Sequence, residues 1–297
     1  MPLVARAESC NLIQTGLWQG ASYAFGVSMS CTQSVNSSKP YSPQEPPTRN
    51  SGLYVALGDS VAAGLGLPVA SPADQTCGVS AQAYPSAVAA AFQYPYINAA
   101  CSGATAGDLV SEQHLPNTSR DIEPQLDTAF ANGTPALITI TAGANDVYWQ
   151  YFARNCYTGG TCGDRGDEIA YRSFLTGLRI KYEYVLSDIY SRSNGQPPKV
   201  VLTGYYHLAS GNCSGQLSNV TPAEESWLDA RTDDLNRAIQ RTANDYSFAA
   251  FAPVSFSGHE LCSADSWIQG LNSPAPLHPT ARGQQVIAQS VISAVNN

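Results

Sequence analysis

Short apolar runs alternate along the chain with longer stretches whose apolar residues recur every three or four positions. Five of the runs read as buried strands, at 53–57, 96–100, 137–141, 199–204 and 249–254. Between them Leu175, Leu178, Tyr182, Val185 and Ile189 fall on one helical stripe. Thr221-Pro222-Ala223-Glu224 is a capping box with proline at the first helical position, and it leads into Leu228, Leu235 and Ile239. Thr280 opens a last helix carrying Val286, Ile287, Val291 and Val295. Repeated strand–helix units of this length predict an α/β domain with a parallel sheet covered on both faces.

Residues 1–50 break the pattern. Gly16 to Cys31 holds small, aromatic and β-prone residues and reads as a hairpin closed by a Cys10–Cys31 bridge. Ser34 to Asn50 is rich in Ser, Pro and Asn and reads as an extended linker. The expected organisation is therefore an extension over 1–50 and a main domain over 51–297.

At 297 residues and 43% hydrophobic content, there is ample material for one large core. Only 13% of residues are charged, the net charge is -8 and there is no basic run, which argues against a nucleic-acid or anionic-membrane partner, since both need clustered cations. No run approaches the length of a membrane span. The eight cysteines contain no C-x-x-C pair and are spread along the chain, as expected of structural disulfides in an oxidising compartment. Sequential pairing, Cys10–Cys31, Cys77–Cys101, Cys156–Cys162 and Cys213–Cys262, is the simplest scheme. Secretion is expected, and a chain beginning Met1 to Cys10, with no long apolar stretch after a basic start, would have lost its export signal.

Candidate chemistry sits at the carboxyl ends of the strand-like runs, where open α/β sheets place their ligand crevice. Gly58-Asp59-Ser60 follows the first run, and a serine there is exposed and fixed as a nucleophile requires. Gly103, after the second run, leaves a backbone N–H unobstructed, and Asn145, after the third, offers an amide donor. His278 lies in the loop before the final helix, a favourable place for a base. His114 reads as a surface residue, His207 as a packed one, and His259 as a structural hydrogen-bond partner of the cystine region. No His-x-x-x-His, paired Cys/His or phosphate-loop spacing is present, so neither a metal nor a cofactor is expected.

Four blocks in this order resemble the SGNH (GDSL-type) hydrolases: G-D-S at Ser60, N-x-x-x-S-G-A-T at Gly103, G-A-N-D at Asn145 and L-H-P-T at His278. The resemblance covers residues 51–297. Gly258 to Cys262 with Trp267 is similar to the disulfide-bonded, secreted bacterial lipase and esterase branch. It implies a flavodoxin-like three-layer sandwich around a five-stranded parallel sheet, and a serine carboxylic-ester hydrolase. Ser60 would be the nucleophile and His278 the general base, with Ser60 and Gly103 N–H groups and the Asn145 amide as the oxyanion hole. Asp59 and Asp146 would brace loops rather than move protons.

One position departs from the family. Where an Asp usually stands three residues before the histidine, this chain has Ala275. Either Asp265 folds back as the acid, or a backbone carbonyl holds the ring in a Ser–His dyad. The dyad is favoured, because the acid chiefly fixes tautomer and orientation. The expected substrate is a lipid ester, a short acyl ester or an acetylated glycan, acted on by a monomer. The competing readings are a carbohydrate esterase and a non-catalytic binding protein of the same fold. Tyr148, Trp149, Tyr151 and Phe152 either pack in the core or wall an acyl pocket.

Overall fold

A computed structural model describes residues 52–115, 121–157, 161–209, 213 and 220–297, together with the backbone of two strands near the amino terminus. The chain divides into two compact units, Met1–Glu45 and Pro46–Asn297. In the first, β1 (Cys10–Gln19) and β2 (Ser22–Cys31) form an antiparallel hairpin whose register sets Cys10 opposite Cys31. The expected Cys10–Cys31 bridge lies outside the described side chains.

The second unit is built on five parallel strands, in the order β4-β3-β7-β8-β9. They are β3 (Tyr54–Gly58), β4 (Tyr96–Asn98), β7 (Leu137–Thr141), β8 (Lys199–Thr203) and β9 (Ala249–Ala252). A two-residue antiparallel ladder, β5 (Gln113–His114) with β6 (Asp121–Ile122), stands apart from the sheet. Every residue of β3 and β7 is buried, as a strand covered on both faces must be. The helices are α1 (Ser60–Ala63), α2 (Tyr84–Phe92), α3 (Gln125–Phe130), α4 (Trp149–Tyr157), α5 (Arg165–Arg192), α6 (Pro222–Asn244) and α7 (Ala281–Asn296). Two groups cover the sheet: α2 packs on α7, and α6 packs on α4 and α5, with α6 and α7 both reaching β8 and β9.

Each strand lies where the apolar runs place it, and the ends differ for local reasons. The second ends at Asn98, although the Ala99 and Cys101 N–H groups still reach the Ala56 and Gly58 carbonyls of β3, and the Asn98 side chain braces the turn that follows. Its amide donates to the Ala62 carbonyl and its oxygen accepts from the Ala100 N–H. The fifth stops at Ala252, and Pro253 follows on the open edge of the sheet, where a missing N–H costs no ladder bond. The capping box at Thr221 makes both reciprocal bonds with Glu224, and Thr280 caps α7 through the Gly283 N–H. Disulfides join Cys77 to Cys101, Cys156 to Cys162 and Cys213 to Cys262.

The chain leaves β3 toward β4 on one side of the sheet and then returns to β7 on the other. The switch point therefore lies between β3 and β7, where such sheets open a crevice. Gly58 ends β3 there with φ +136°, and a Cβ on it would stand 2.0 Å from the Thr141 carbonyl oxygen. Gln125 closes the same turn by accepting from the Gly58 N–H at 2.7 Å and donating to its carbonyl at 2.9 Å. Gly58→Ala is expected to destabilise the domain by about 3 kcal/mol, because the new methyl meets main chain rather than a movable side chain. Urea unfolding followed by fluorescence reads this, and an unchanged midpoint would refute it.

Candidate active site

Asp59 and Ser60 follow the Gly58 turn directly. The Asp59 N–H donates to the Thr141 carbonyl at 2.8 Å, tying the turn to β7. Its carboxylate caps α1 by accepting from the Val61 N–H at 2.9 Å and takes the Tyr205 hydroxyl at 2.6 Å. Burial pushes the Asp59 carboxyl up to about 7, against those two hydrogen bonds, which favour the charged form. Ser60, the first residue of α1, is buried except for its face on a cleft.

His278 reaches that cleft from the loop before α7. Its Nε2 lies 2.7 Å from Ser60 Oγ, and its Nδ1 lies 2.9 Å from the Pro276 carbonyl oxygen. A carbonyl can only accept, so Nδ1 carries the proton and the Nε2 lone pair faces the serine hydroxyl. Burial lowers the imidazole from its ordinary 6.5, and the backbone contacts at Pro276 and Ala275 act the other way. The loop is strapped from both sides. The Gln269 N–H donates to the His278 carbonyl, the Leu277 N–H to the Gln269 carbonyl, and the Tyr206 hydroxyl to the Leu277 carbonyl. Leu277 sits at φ +68°, a left-handed conformation uncommon for a branched side chain and found where surrounding contacts impose it.

The third loop carries Asn145, which lines the same cleft. One hydrogen of its amide goes to the Ala104 carbonyl at 2.8 Å, which leaves the second N–H to donate elsewhere. Asp146 braces this loop: it accepts from the Ala106 N–H at 2.8 Å and from Lys181 Nζ at 2.8 Å. Desolvation raises its carboxyl, and the lysine opposes the rise. Gly103, at φ +85°, is not among the cleft-lining residues, but its loop is held to the site. The Asn145 amide grips Ala104, and Ser102 donates through both N–H and hydroxyl to the Cys77 carbonyl beside the Cys77–Cys101 bridge.

Asp265 lies against His259 rather than His278. Its carboxylate lies 3.2 Å from His259 Nδ1, its carbonyl takes the same nitrogen at 2.7 Å, and its side chain is 80% exposed. The acceptor at His278 Nδ1 is the Pro276 carbonyl, brought there by the turn Ala275-Pro276-Leu277. His259 also stacks on Trp267 with ring centroids 3.7 Å apart. His207 pairs with Asp233 at 2.8 Å, and exposed His114 with Asp121 at 2.7 Å. None of these three joins the cleft lining.

The aromatic cluster divides between the two roles weighed for it. Phe152 packs in the core against Tyr171 and Trp227. Trp149 lines the cleft and donates to Thr232 Oγ1 at 3.2 Å. Tyr148 and Tyr151 are 56% and 59% exposed. The cleft encloses about 470 Å³ counting its open mouth, and Val61, Ala144, Trp149, Tyr206, Leu235 and Leu277 make its apolar lining. Tyr205 also lines it and was not singled out in the sequence, although it stands two residues beyond β8, in the same kind of position as the other site loops.

Residues 56–286 match the GDSL-like Lipase/Acylhydrolase family. The chain belongs to this family. It is 31% identical over 239 residues to a lipase of Streptomyces rimosus, a match covering 78% of this chain and 82% of the relative. It is similar in structure to the crystal structure of an extracellular lipase from Streptomyces rimosus, with TM-score 0.67 and 29% identity over 82% of this chain and 99% of that one. A phospholipase A1 from Streptomyces albidoflavus NA297 superposes with TM-score 0.65 at 26% identity, over 82% of this chain and 99% of that one. The family member described here is accordingly an ester hydrolase with the flavodoxin-like α/β sandwich. Among the described residues no helix is long and apolar enough to cross a membrane.

Two outcomes follow from the imidazole's surroundings. Asp265→Asn is expected to leave kcat/KM within several-fold of the unaltered protein, and a collapse to the level of a serine-to-alanine variant would sink that expectation. A ring that must be neutral to accept a proton, and whose pKa is lowered by burial, stays competent into mild acid. Activity should then fall only as pH drops through a midpoint below 6.5. A pH-stat profile of kcat/KM on a soluble short-chain ester checks this, and an acid limb above that value would contradict it.

Proposed function

We propose that the protein is a secreted lipase-type carboxylic-ester hydrolase working through a Ser60–His278 dyad. The observation that carries the reading is the 2.7 Å contact of Ser60 Oγ with His278 Nε2, in the one tautomer that can take the serine proton. Ser60 Oγ attacks the ester carbonyl while its proton passes to Nε2. The negative charge that develops on the carbonyl oxygen is met by the Ser60 and Gly103 N–H groups and the Asn145 amide. Collapse of the tetrahedral species breaks the bond to the alcohol, and His278 gives the leaving oxygen its proton. Water then attacks the acyl-serine with His278 as base, releasing the acid and restoring the serine.

The Pro276 carbonyl fixes tautomer and orientation, which are the main services of a triad carboxylate. It supplies a dipole rather than a full charge to the imidazolium that forms, so more of the stabilisation falls to the oxyanion donors. The apolar lining supports an acyl chain as the group held in the cleft, in preference to a sugar ring that needs many polar partners. The net charge of -8 fits neutral or zwitterionic esters better than anionic ones. Secretion is supported by the three cystines and by the extracellular relative. Residues 1–50 are taken as an appended extension and residues 51–297 as the catalytic domain.

An acyl-length series of p-nitrophenyl esters, run beside acetate release from acetylated xylan, tests the assignment with Ser60→Ala as the blank. Turnover of the acyl esters is expected to fall by about 10⁴-fold or more in Ser60→Ala, while xylan releases no acetate above the blank. Undiminished turnover in the variant, or a preference for the glycan, would overturn the reading.

A further inference from the structure

We propose that Tyr205 is a positioning residue for ester hydrolysis, its phenol holding the nucleophile turn and the Asn145 loop in one register. The inference rests on Ser60 and Asn145 acting as read above, and it adds a residue with no part in that scheme. Tyr205 leaves the carboxyl end of β8 with its main chain clamped by α6. Its N–H donates to Asn236 Oδ1 at 2.7 Å, and the Asn236 amide donates back to its carbonyl at 2.7 Å. So anchored, the buried ring lies along the cleft.

The hydroxyl donates to Asp59 Oδ2 at 2.6 Å and accepts from the Ala144 N–H at 3.3 Å. Asp59 directly precedes Ser60, and Ala144 directly precedes Asn145. A single chain of hydrogen bonds therefore runs from the Val61 N–H to the Asp59 carboxylate, the Tyr205 phenol and the Ala144 N–H. The two loops leave different strands, β3 and β7, and are joined lower down by the Asp59 N–H on the Thr141 carbonyl. Tyr205 supplies a second tie, nearer the reacting atoms. Burial holds its phenol well above its ordinary pKa, so it remains a donor wherever the enzyme works.

Loss of this hydroxyl would leave a buried carboxylate oxygen and a main-chain N–H without their partner. Both loops would relax by small amounts, and stabilisation of an oxyanion is sensitive to small displacements of nucleophile against donor. Substrate binding depends mainly on the apolar walls, so the effect belongs in kcat.

The test is Tyr205→Phe on a soluble p-nitrophenyl ester. We expect kcat about tenfold lower, KM within about twofold, and fluorophosphonate labelling of Ser60 slowed by the same factor as kcat. Because the phenol works through Asp59, Asp59→Asn combined with Tyr205→Phe should lose no more than the worse single variant. Unchanged kcat, a loss confined to KM, or losses that multiply in the double variant would each overturn the proposal. Should Tyr205→Phe not fold, Asn236→Ala loosens the tyrosine's main chain while keeping its phenol. It should lower kcat at constant KM, and unaltered kcat there would overturn the proposal equally. Turnover that survives Ser60→Ala would instead defeat the underlying reading of the site, so the two failures are distinguishable.

Discussion

The close approach of β3 to β7 at Gly58 sets the dimensions of everything above it. No side chain fits between that residue and the Thr141 carbonyl, and its φ lies where L residues are strained. With the methyl absent, the Asp59 N–H reaches Thr141, the Cys101 N–H reaches the Gly58 carbonyl, and Gln125 binds both polar groups of Gly58. Three neighbouring segments are thus hydrogen-bonded to one turn. Ser60 emerges from it as the first residue of a helix, with its position determined by main chain rather than by its own packing.

Beneath the turn the sheet is polar inside, and each hydroxyl there has a partner. Thr139 meets the hydroxyls of Tyr54 and Tyr84, and Thr141 meets those of Tyr84 and Thr203. Buried hydroxyls without partners would cost about 1–3 kcal/mol each. Paired in a row, they let small polar residues occupy the carboxyl ends of β7 and β8 and keep those strands at a fixed spacing. Gln284 continues the same logic from α7, donating to the Val61 carbonyl and accepting from the Tyr84 N–H. The final helix is thereby tied to the helix that starts at Ser60, and His278 lies just before that final helix.

The histidine loop shows how a backbone group can stand in for a carboxylate. Pro276 presents its carbonyl to Nδ1 because Leu277 adopts a left-handed conformation, held by Tyr206 and Gln269. A neutral acceptor avoids burying another charge beside Asp59 and Asp146, whose carboxyls are already raised by desolvation. A neutral acceptor also stabilises imidazolium less than a carboxylate does, in keeping with a ring whose pKa burial can lower.

Pattern was enough to place the sheet strands and the three long carboxyl-terminal helices, because a strand covered on both faces is a continuous apolar run and a helix packed on one face carries a stripe. The G-D-S, S-G-A-T, G-A-N-D and L-H-P-T blocks pointed to Ser60, Gly103, Asn145 and His278 through their resemblance to the family, three of them in turns after strands and the last before the final helix. Helices α2, α3 and α4 were too short to establish a period, although the buried Phe152, Ala153, Cys156 and Tyr157 share one face of α4. Ala275 was legible as a missing acid, but its substitute was not. A carbonyl exists at every residue, and only the path of the chain through Pro276 and Leu277 decides which one meets the ring. Tyr205, Gln125, Gln284 and Lys181 were silent for the same reason: each acts across 35 to 223 positions of sequence, through hydrogen bonds that exist only once the sheet brings its loops to one edge.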